Sequence, residues 1–386
     1  MPTPTALPTS PPLPFAPGAG ITLWASKGLR DDRAAFAEPL RAIQPTVVQL
    51  HAGPGDLAKN LVATADLVRR ILPGVRLWVG CAWDGWIREY ADALAVAATD
   101  EARSYDLRQR IEDHYLSAAR AAEAAGAELF VMNNEAAGKL HPRATRVLGV
   151  NVMDRIRATM PGLLLGQTSF DHPTYHGEEK NRGGRIDADD EGFPWSVYFR
   201  DAALQGPIEG LLLPTRPVDV ALPQNYAAPP QKDGEYVVPR SPIGALFARV
   251  AGSQRSWRKA IELGWISPRV PVLPYVQAHH CAAEDTAALG ATTPLCQWAW
   301  RTRQDEHGLA SAIVLARADR KALTLHDVPE LEARTTVAWA QARLGGLVCD
   351  GEFGSRSKRA LAAWCAAKGL PTKTALDDDV IAALAA

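Results

Sequence analysis

Three carboxyl groups stand just after apolar runs of strand length. Glu135 ends the run Ala127–Glu135 (AELFVMNNE), while Asp84 follows another run in AWDGW and Asp171 a third in SFDHP. A carboxylic acid held among apolar walls keeps a raised pKa and can donate a proton, while a second, ionised carboxylate can attack or stabilise a cation. We expect Glu135 to be the proton donor, with Asp171 or Asp84 as its companion. The structural alternative for Glu135 is a turn cap or an ion pair with an arginine, and for either aspartate it is a loop cap or a surface charge.

Other polar and aromatic residues stand near the same predicted strand ends and could bind a substrate. They are Asn134, Gln224, Tyr226, Gln277, His279, Trp83, Trp86 and Trp24. Indole faces in a cleft are platforms for sugar rings, although each of these tryptophans is equally expected in the core. Metal binding is a weaker interpretation of His279 and His280 together with His172 and His176. We therefore expect no metal and no other cofactor.

The elements that would position these residues alternate regularly along the chain. Eight apolar runs are separated by segments with helical spacing, and such alternation predicts a parallel sheet wrapped by helices. The runs are Ile21–Ser26, Thr46–His51, Val75–Cys81, Ala127–Glu135, Leu163–Phe170, Val218–Leu222, Val270–Val276 and Ser311–Ala316. A count of eight favours a closed (β/α)8 TIM-like barrel, in which the active site lies at the carboxyl ends of the strands.

The pattern divides the chain into three parts. Residues 1–19 form a Pro-rich N-terminal arm, residues 20–327 the α/β barrel, and residues 328–386 a small all-α C-terminal domain. The polar stretch after Phe170 is a long insertion, of the kind that is often functional. A further helix is expected near Thr293–Arg303, before the eighth strand.

Composition excludes several classes of protein. The formal net charge of −1 argues against a nucleic-acid-coating protein, which would need clustered cations. No apolar stretch reaches the length of a membrane span, and the N-terminus lacks the basic and apolar regions of a secretory signal. The five cysteines include no CxxC pair. Cys349 and Cys365 could form a bridge or remain reduced thiols.

The last segment resembles the peptidoglycan-binding domain of bacterial and phage cell-wall hydrolases. Its signature is the D-G-x-F-G turn, here Asp350, Gly351, Phe353 and Gly354, with a helix of L-x-x-L-G type before it and an Ala-rich helix containing Trp364 after it. In this turn the glycines would permit tight angles and Phe353 would plug the helices. Trp364 and Cys365 stand where the family usually has Phe-Gln. The resemblance implies that bacterial peptidoglycan is the partner.

The first 327 residues resemble glycoside hydrolases more loosely. In many of these enzymes an acid ends strand four, as Asn-Glu or within D-x-E, and Asn134–Glu135 fits the first form while Asn133 replaces the Asp of the second. The sequence SFDHPTYH…GFPWSVYF…DVALPQNY is similar to barrels of phage and prophage origin. Tyr226 resembles the strand-six tyrosine that positions the acetamido group in family 18 chitinases, and Gln224 would assist it.

These resemblances imply a peptidoglycan hydrolase that cuts the glycan as a muramidase or glucosaminidase. Two alternatives stay open: a non-catalytic wall-binding or virion structural protein with a degenerate barrel, and a metal-dependent amidase or deacetylase. The absence of a Glu at the end of strand seven disfavours a two-Glu mechanism. With no signal sequence expected, the chain would be made in the cytoplasm and reach the wall as a phage-type lysin does. The sequence leaves the bond cut and the oligomeric state open.

Overall fold

The computed structural model describes seventeen stretches of the chain. They are residues 20–23, 37–38, 40–41, 44–52, 56–82, 101–133, 142–170, 196–205, 213–225, 231–232, 235–236, 245–277, 296–297, 337, 340–341, 343–347 and 353–385.

The centre of the structure is an eight-stranded sheet in which every pairing is parallel. Its strands are β1 (Gly20–Leu23), β2 (Val47–Ala52), β3 (Arg76–Ala82), β4 (Leu129–Asn133), β5 (Leu164–Phe170), β6 (Val220–Asn225), β9 (Tyr275–Gln277) and β10 (Cys296–Gln297), paired in that order. A separate antiparallel pair, β7 (Gln231–Lys232) and β8 (Glu235–Tyr236), lies between β6 and β9 in the chain.

Helices connect the strands, as parallel pairing requires. They are α1 (Asp56–Ile71), α2 (Glu101–Ala124), α3 (Pro142–Thr159), α4 (Ala202–Gln205) and α5 (Ala245–Glu262), with a 3-10 turn at Ser196–Phe199. Arg155 links α3 to α2, since its guanidinium lies 2.7 Å from Glu112 and 2.9 Å from Asp113, both on α2. The described helices and strands therefore form a layered α/β structure.

The sheet is strongly curved. The hydroxyl of Tyr275 on β9 donates a hydrogen bond to the side-chain oxygen of Gln49 on β2, although five strand-to-strand steps separate these strands in the sheet order. In a flat sheet those steps would place β2 and β9 about 24 Å apart. β1 and β10, at the two ends of the order, also approach each other to within 8 Å between Cα atoms. The face that carries Gln49 and Tyr275 is therefore concave, and we call it the inner face.

Two apolar layers cover the two faces of the sheet. The outer layer packs strand residues such as Leu50 and Phe130 against buried helix residues such as Val68 and Tyr115. The inner layer consists of strand residues alone: Val47, Trp78, Leu129, Val131, Val220, Leu222, Leu273 and Tyr275. Because both faces are buried, the strands read in sequence as nearly continuous apolar runs.

The end of the insertion between β5 and β6 is fixed in the helix layer. The ring of Tyr198 packs so closely on α3 that a Cβ added at Gly149 would lie 2.5 Å from its ring carbons. Phe199 packs on Trp257 of α5, with ring centroids 5.0 Å apart. A residue larger than glycine at position 149 would displace this turn.

The first six predicted strands agree with the structure, and the seventh agrees only in part. The first six predicted runs overlap β1 to β6, whereas the seventh is shorter than predicted, with Val272 in an isolated bridge and β9 only at Tyr275–Gln277. The strand that follows β9 is Cys296–Gln297, inside the segment predicted as a helix, so that prediction is wrong at these residues. The run predicted as strand eight, Ser311–Ala316, lies outside the described residues.

The described C-terminal part is helical. Helices α6 (Ser355–Ala367) and α7 (Asp378–Ala385) share a buried cluster of Leu361, Cys365, Val380 and Leu384, joined by Ala340. The side chain of Gln341 donates to the Ser357 hydroxyl inside it, at 3.0 Å. Cys365 is a buried free thiol, so the bridge to Cys349 is not formed.

Among the described helices, none is both long and apolar enough to cross a bilayer.

Candidate functional site

Polar side chains replace apolar ones along the inner face as the strands approach their carboxyl ends. Strand residues alternate between faces with period two, so the residues that follow the inner apolar layer on the same face can be identified. Those residues are Gln49 and His51 on β2, Asn133 on β4, Thr168 on β5, Gln224 on β6, and Tyr275 on β9. We call this set the polar ring. It marks the carboxyl edge as the polar end of the inner face.

Gln49 and Tyr275 are two buried members of the polar ring that hydrogen-bond to each other. Both are nearly inaccessible, at 4% and 2% exposure. The amide of Gln49 also lies against Gly80 of β3, where an added Cβ would be 2.6 Å from Gln49 Nε2. Gly80 therefore makes the space that allows Gln49 to reach Tyr275.

His51 is a neutral histidine on the same face of β2. Burial lowers its pKa from 6.5 to about 4. A neutral imidazole has one N–H donor and one acceptor nitrogen, so it can hydrogen-bond a hydroxyl or an amide. Near pH 5 to 7, His51 can act as an uncharged polar group at this edge, but it is not a cation there.

The end of β4 is tied to β5 by a side chain of the polar ring. The Thr168 hydroxyl donates to the backbone oxygen of Met132 at 3.2 Å. Asn133, the last residue of β4, is 9% exposed and shares its face with Leu129 and Val131. The chain thus leaves the sheet toward Asn134 and Glu135 from a strand end that is well fixed.

Gln224 is the one predicted substrate-binding residue whose side chain the structure describes in the sheet. It is buried, at 6% exposure, and its Cα pairs with Phe170 on β5 and with Tyr275 on β9. Gln277, also predicted, is the last residue of β9 and follows Tyr275 by two positions, but its side chain is outside the description.

The remaining predicted residues of the barrel site lie outside the described residues. They are the acids Glu135, Asp171 and Asp84, together with Asn134, Tyr226, Trp83, Trp86, Trp24 and His279. Several follow directly on described strand ends: Asp84 comes two residues after Ala82, Glu135 two after Asn133, and Asp171 one after Phe170.

Sequence reasoning missed four members of the polar ring: Gln49, His51, Thr168 and Tyr275. The signal for two of them was present in VVQLH, where polar residues alternate with apolar ones inside a buried run. The prediction of buried apolar strands gives these polar residues no role, because only a curved sheet provides an interior for them. Thr168 and Tyr275 carry no such local signal.

The predicted wall-binding turn is described in part. Phe353 packs against the buried cluster of α6 and α7, while Asp350 and Gly351 lie outside the described residues. Gly354 is exposed with φ −79°, a value open to any residue, so the tight-turn role expected of this glycine is wrong. Trp364 is half-buried beside the same cluster.

No group of three or more histidine, cysteine, aspartate or glutamate residues that could hold a metal occurs in the described part of the chain. The histidines considered for that role (His172, His176, His279 and His280) all lie outside it.

Comparison with known proteins identifies no family. No family model matches the chain, and no curated protein does. Among solved structures, the spore cortex-lytic enzyme SleL of Bacillus cereus aligns at 14% identity and a TM-score of 0.37, covering 68% of this chain and 52% of that one. The chain therefore spans about half the length of SleL.

A proposed dihydrodipicolinate synthetase from Pseudomonas aeruginosa aligns at 12% identity and a TM-score of 0.34, covering 96% of this chain and 97% of its own. The carboxyl transferase domain of Rhizobium etli pyruvate carboxylase aligns at 10% identity and a TM-score of 0.20, covering 97% and 70%. Likeness at this level assigns neither a family nor an activity.

Proposed function

We propose that this chain is a peptidoglycan hydrolase that cleaves the glycan strand, as a muramidase or a glucosaminidase does. In this proposal the curved sheet closes into a (β/α)8 barrel within residues 20–327, and residues 328–386 form a helical unit that binds the wall. The reaction takes place at the carboxyl edge of the inner face.

The observation that carries the proposal is the polar ring and its place in the chain. The apolar inner layer gives way to polar residues at the carboxyl edge, where the active site of a parallel barrel lies. Glu135, Asp84 and Asp171 each follow within two residues of a described strand end at this edge. In this proposal, an acid in that position would adjoin both a hydrophobic wall and hydrogen-bonding groups for a sugar.

The three strands that lead to the acids are neighbours. Ala82 pairs with Asn133 across β3 and β4, and Met132 pairs with Gln167 across β4 and β5. Adjacent strands lie about 4.8 Å apart. Carboxyl groups at such ends can reach the separations of about 5–5.5 Å in retaining glycosidases or about 6.5–9.5 Å in inverting ones.

The roles follow from the chemistry of glycosidic cleavage. Glu135, protonated, gives its proton to the leaving oxygen as the bond to the sugar carbon breaks. An ionised Asp84 or Asp171 then attacks that carbon or activates a water molecule. Instead of an aspartate or a water molecule, the substrate's own N-acetyl oxygen could attack that carbon, with Gln224 and Tyr226 orienting it.

The C-terminal unit would act as a tether. Binding of residues 328–386 to the wall keeps the barrel near its polymer and raises the local substrate concentration without adding a contact at the reacting bond. The D-G-x-F-G resemblance supports this role.

The decisive experiment compares wild type with Glu135→Gln on purified peptidoglycan, with mass spectrometry of the soluble products. Disaccharide-peptides with a new reducing end from wild type alone would support the proposal, and the reducing sugar would identify the bond. Free stem peptides from wild type would instead indicate an amidase, which a parallel reaction with a zinc chelator would test.

One observation favours a second candidate, a wall-binding protein without activity. Asn133 lies on the inner face at the position that an Asp would take in a D-x-E arrangement, so this edge carries an uncharged amide where a second acid is common. If wild type and Glu135→Gln both sediment with the wall and neither releases products, this candidate replaces the hydrolase.

A further inference from the structure

Tyr115, on the outer side of the sheet, connects the ends of β3 and β4. Its side chain is 1% exposed and projects from α2 into the outer apolar layer. Its hydroxyl donates to the backbone oxygen of Asn133 at 3.2 Å and to that of Cys81 at 3.4 Å. One proton is thus shared by two carbonyls on neighbouring strands.

The two carbonyls belong to Asn133, the last residue of β4, and to Cys81, the last but one of β3, shortly before the candidate acids. Asp84 is three residues beyond Cys81, and Glu135 is two residues beyond Asn133. Two or three residues span at most about 7–11 Å of extended chain, so a shift of either strand end is passed on to the acid that follows it.

The ring of Tyr115 is itself held from two sides. It packs edge-on against Phe130 with centroids 6.4 Å apart and against His114 with centroids 6.0 Å apart. The His114 ring in turn places Nε2 3.7 Å from the Cys81 sulfur. Burial raises the pKa of the Cys81 thiol, which stays protonated and serves as a packing group. The hydroxyl of Tyr115 is therefore presented to the two carbonyls from a fixed position.

We propose that Tyr115 is a positioning residue, whose shared hydrogen bond sets the relative placement of the strand ends that carry Asp84 and Glu135. It contacts no substrate. Its effect on the rate rests on the proposed function, whereas its effect on the strand ends does not. Catalytic groups must be held to about 0.5 Å, and a displacement of about 1 Å can reduce a rate about 100-fold.

The shared hydrogen bond of Tyr115 would act together with the hydrogen bond of Thr168, which lies on the other side of β4. The Thr168 hydroxyl fixes Met132 to β5 from the inner face. Tyr115 fixes Asn133 to β3 from the outer face. The strand that leads to Glu135 is thereby held to both of its neighbours within its last two residues.

The test uses Tyr115→Phe in the full chain, with Tyr198→Phe as the matched control. Both substitutions remove one hydroxyl from a fully buried tyrosine of the helix layer. Tyr198 lies at the opposite edge, because its backbone oxygen accepts from Val218, which precedes β6. All measurements are made at 10 °C, and circular dichroism would verify that each variant is folded at that temperature.

The first readout is amide hydrogen exchange, followed by mass spectrometry of peptides covering residues 79–85 and 130–136. We expect exchange to be about fivefold faster in both peptides of Tyr115→Phe and unchanged in Tyr198→Phe. Wild-type exchange in the Tyr115 variant would overturn the proposal, whether or not the protein has any activity.

The second readout is steady-state hydrolysis of soluble glycan fragments. We expect kcat to fall about tenfold or more in Tyr115→Phe with KM nearly unchanged, because binding groups stay in place while the acids shift. Equal losses in the two variants would show a general structural effect and would contradict a positioning role. If wild type cleaves nothing, the proposed function fails, and the exchange data alone decide whether Tyr115 orders the strand ends.

Discussion

Tyr275 and Gln49 are 226 residues apart in the chain, yet their side chains form a hydrogen bond across the inner face. The bond braces β2 against β9, which are not neighbours in the sheet. It lies where the apolar inner layer meets the polar ring, and a substrate site at the carboxyl edge would therefore lie next to it.

Removal of the donor alone should destabilise the protein. Tyr275→Phe leaves the buried oxygen of Gln49 without the hydroxyl that it accepts from, which costs about 1–3 kcal/mol of unfolding free energy. Urea denaturation would measure the loss. The double variant with Gln49→Leu removes both polar partners, so it should be more stable than the sum of the two single changes predicts. Additive losses would show that the two side chains are not coupled.

Gly80→Ala should disturb the same Tyr275–Gln49 hydrogen bond, because it crowds Gln49 from the side of β3. The new Cβ would lie 2.6 Å from Gln49 Nε2, and this amide has little freedom to move because it is buried between Gly80 and Tyr275. Overpacking of this kind costs about 1–3 kcal/mol. Gly162→Ala is the matched control, since a Cβ there meets nothing within 4 Å. Similar denaturation midpoints for the two variants would contradict the close packing of Gln49 on Gly80.

His51 should make stability depend on pH. Its pKa is about 4 in the folded chain against about 6.5 when unfolded, so the unfolded state binds more protons between these values. Stability due to neutral His51 is therefore complete above pH 6.5, decreases as the pH falls toward 4, and changes no further below that. At about 1.4 kcal/mol per pKa unit, the loss is about 3 kcal/mol.

The measurement for His51 is urea denaturation from pH 7 to pH 4 in wild type and His51→Gln. The difference between the two curves isolates this histidine, because His114, whose pKa is also lowered by burial, contributes to both. If the unfolding free energies of the two proteins changed in parallel with pH, His51 would have the same pKa in the folded and the unfolded chain.

Glu135→Gln should abolish hydrolysis while the wall is still bound. Loss of a general acid costs about 10²–10⁴ in kcat. Asp84→Asn and Asp171→Asn, measured side by side, would identify the companion, since only one of them should approach the same loss. A Glu135→Gln protein with more than a tenth of wild-type activity would exclude Glu135 as the proton donor.

The sequence predicted β2 to β5 to within two residues at each described end because these strands are buried on both faces. Buried runs such as LFVMN stand out from the polar helices around them. β10 has two residues and no periodicity of its own, so nothing distinguished Cys296–Gln297 from a helix. Its pairing with β9 is set by the sheet as a whole.

The site was harder to predict than the strands. The acids are predicted because they follow apolar runs, a local signal, and they lie outside the described residues. Gln49, His51 and Tyr275 have meaning only on a concave face, and that concavity is a property of strands far apart in the chain. Tyr115 is hidden for a similar reason, since a tyrosine in a helix shows no sign that its hydroxyl serves two distant carbonyls.

Two buried thiols in the described part of the chain report on separate parts of the molecule. Cys81 lies in the outer layer of the sheet, and Cys365 lies in the core shared by α6 and α7. A thiol reagent reaches each one only when its surroundings open, so labelling at increasing denaturant, read by peptide mass, gives two independent unfolding curves. Separate midpoints would show that the helical unit and the sheet open independently, so that the helical unit could unfold while the sheet remains intact.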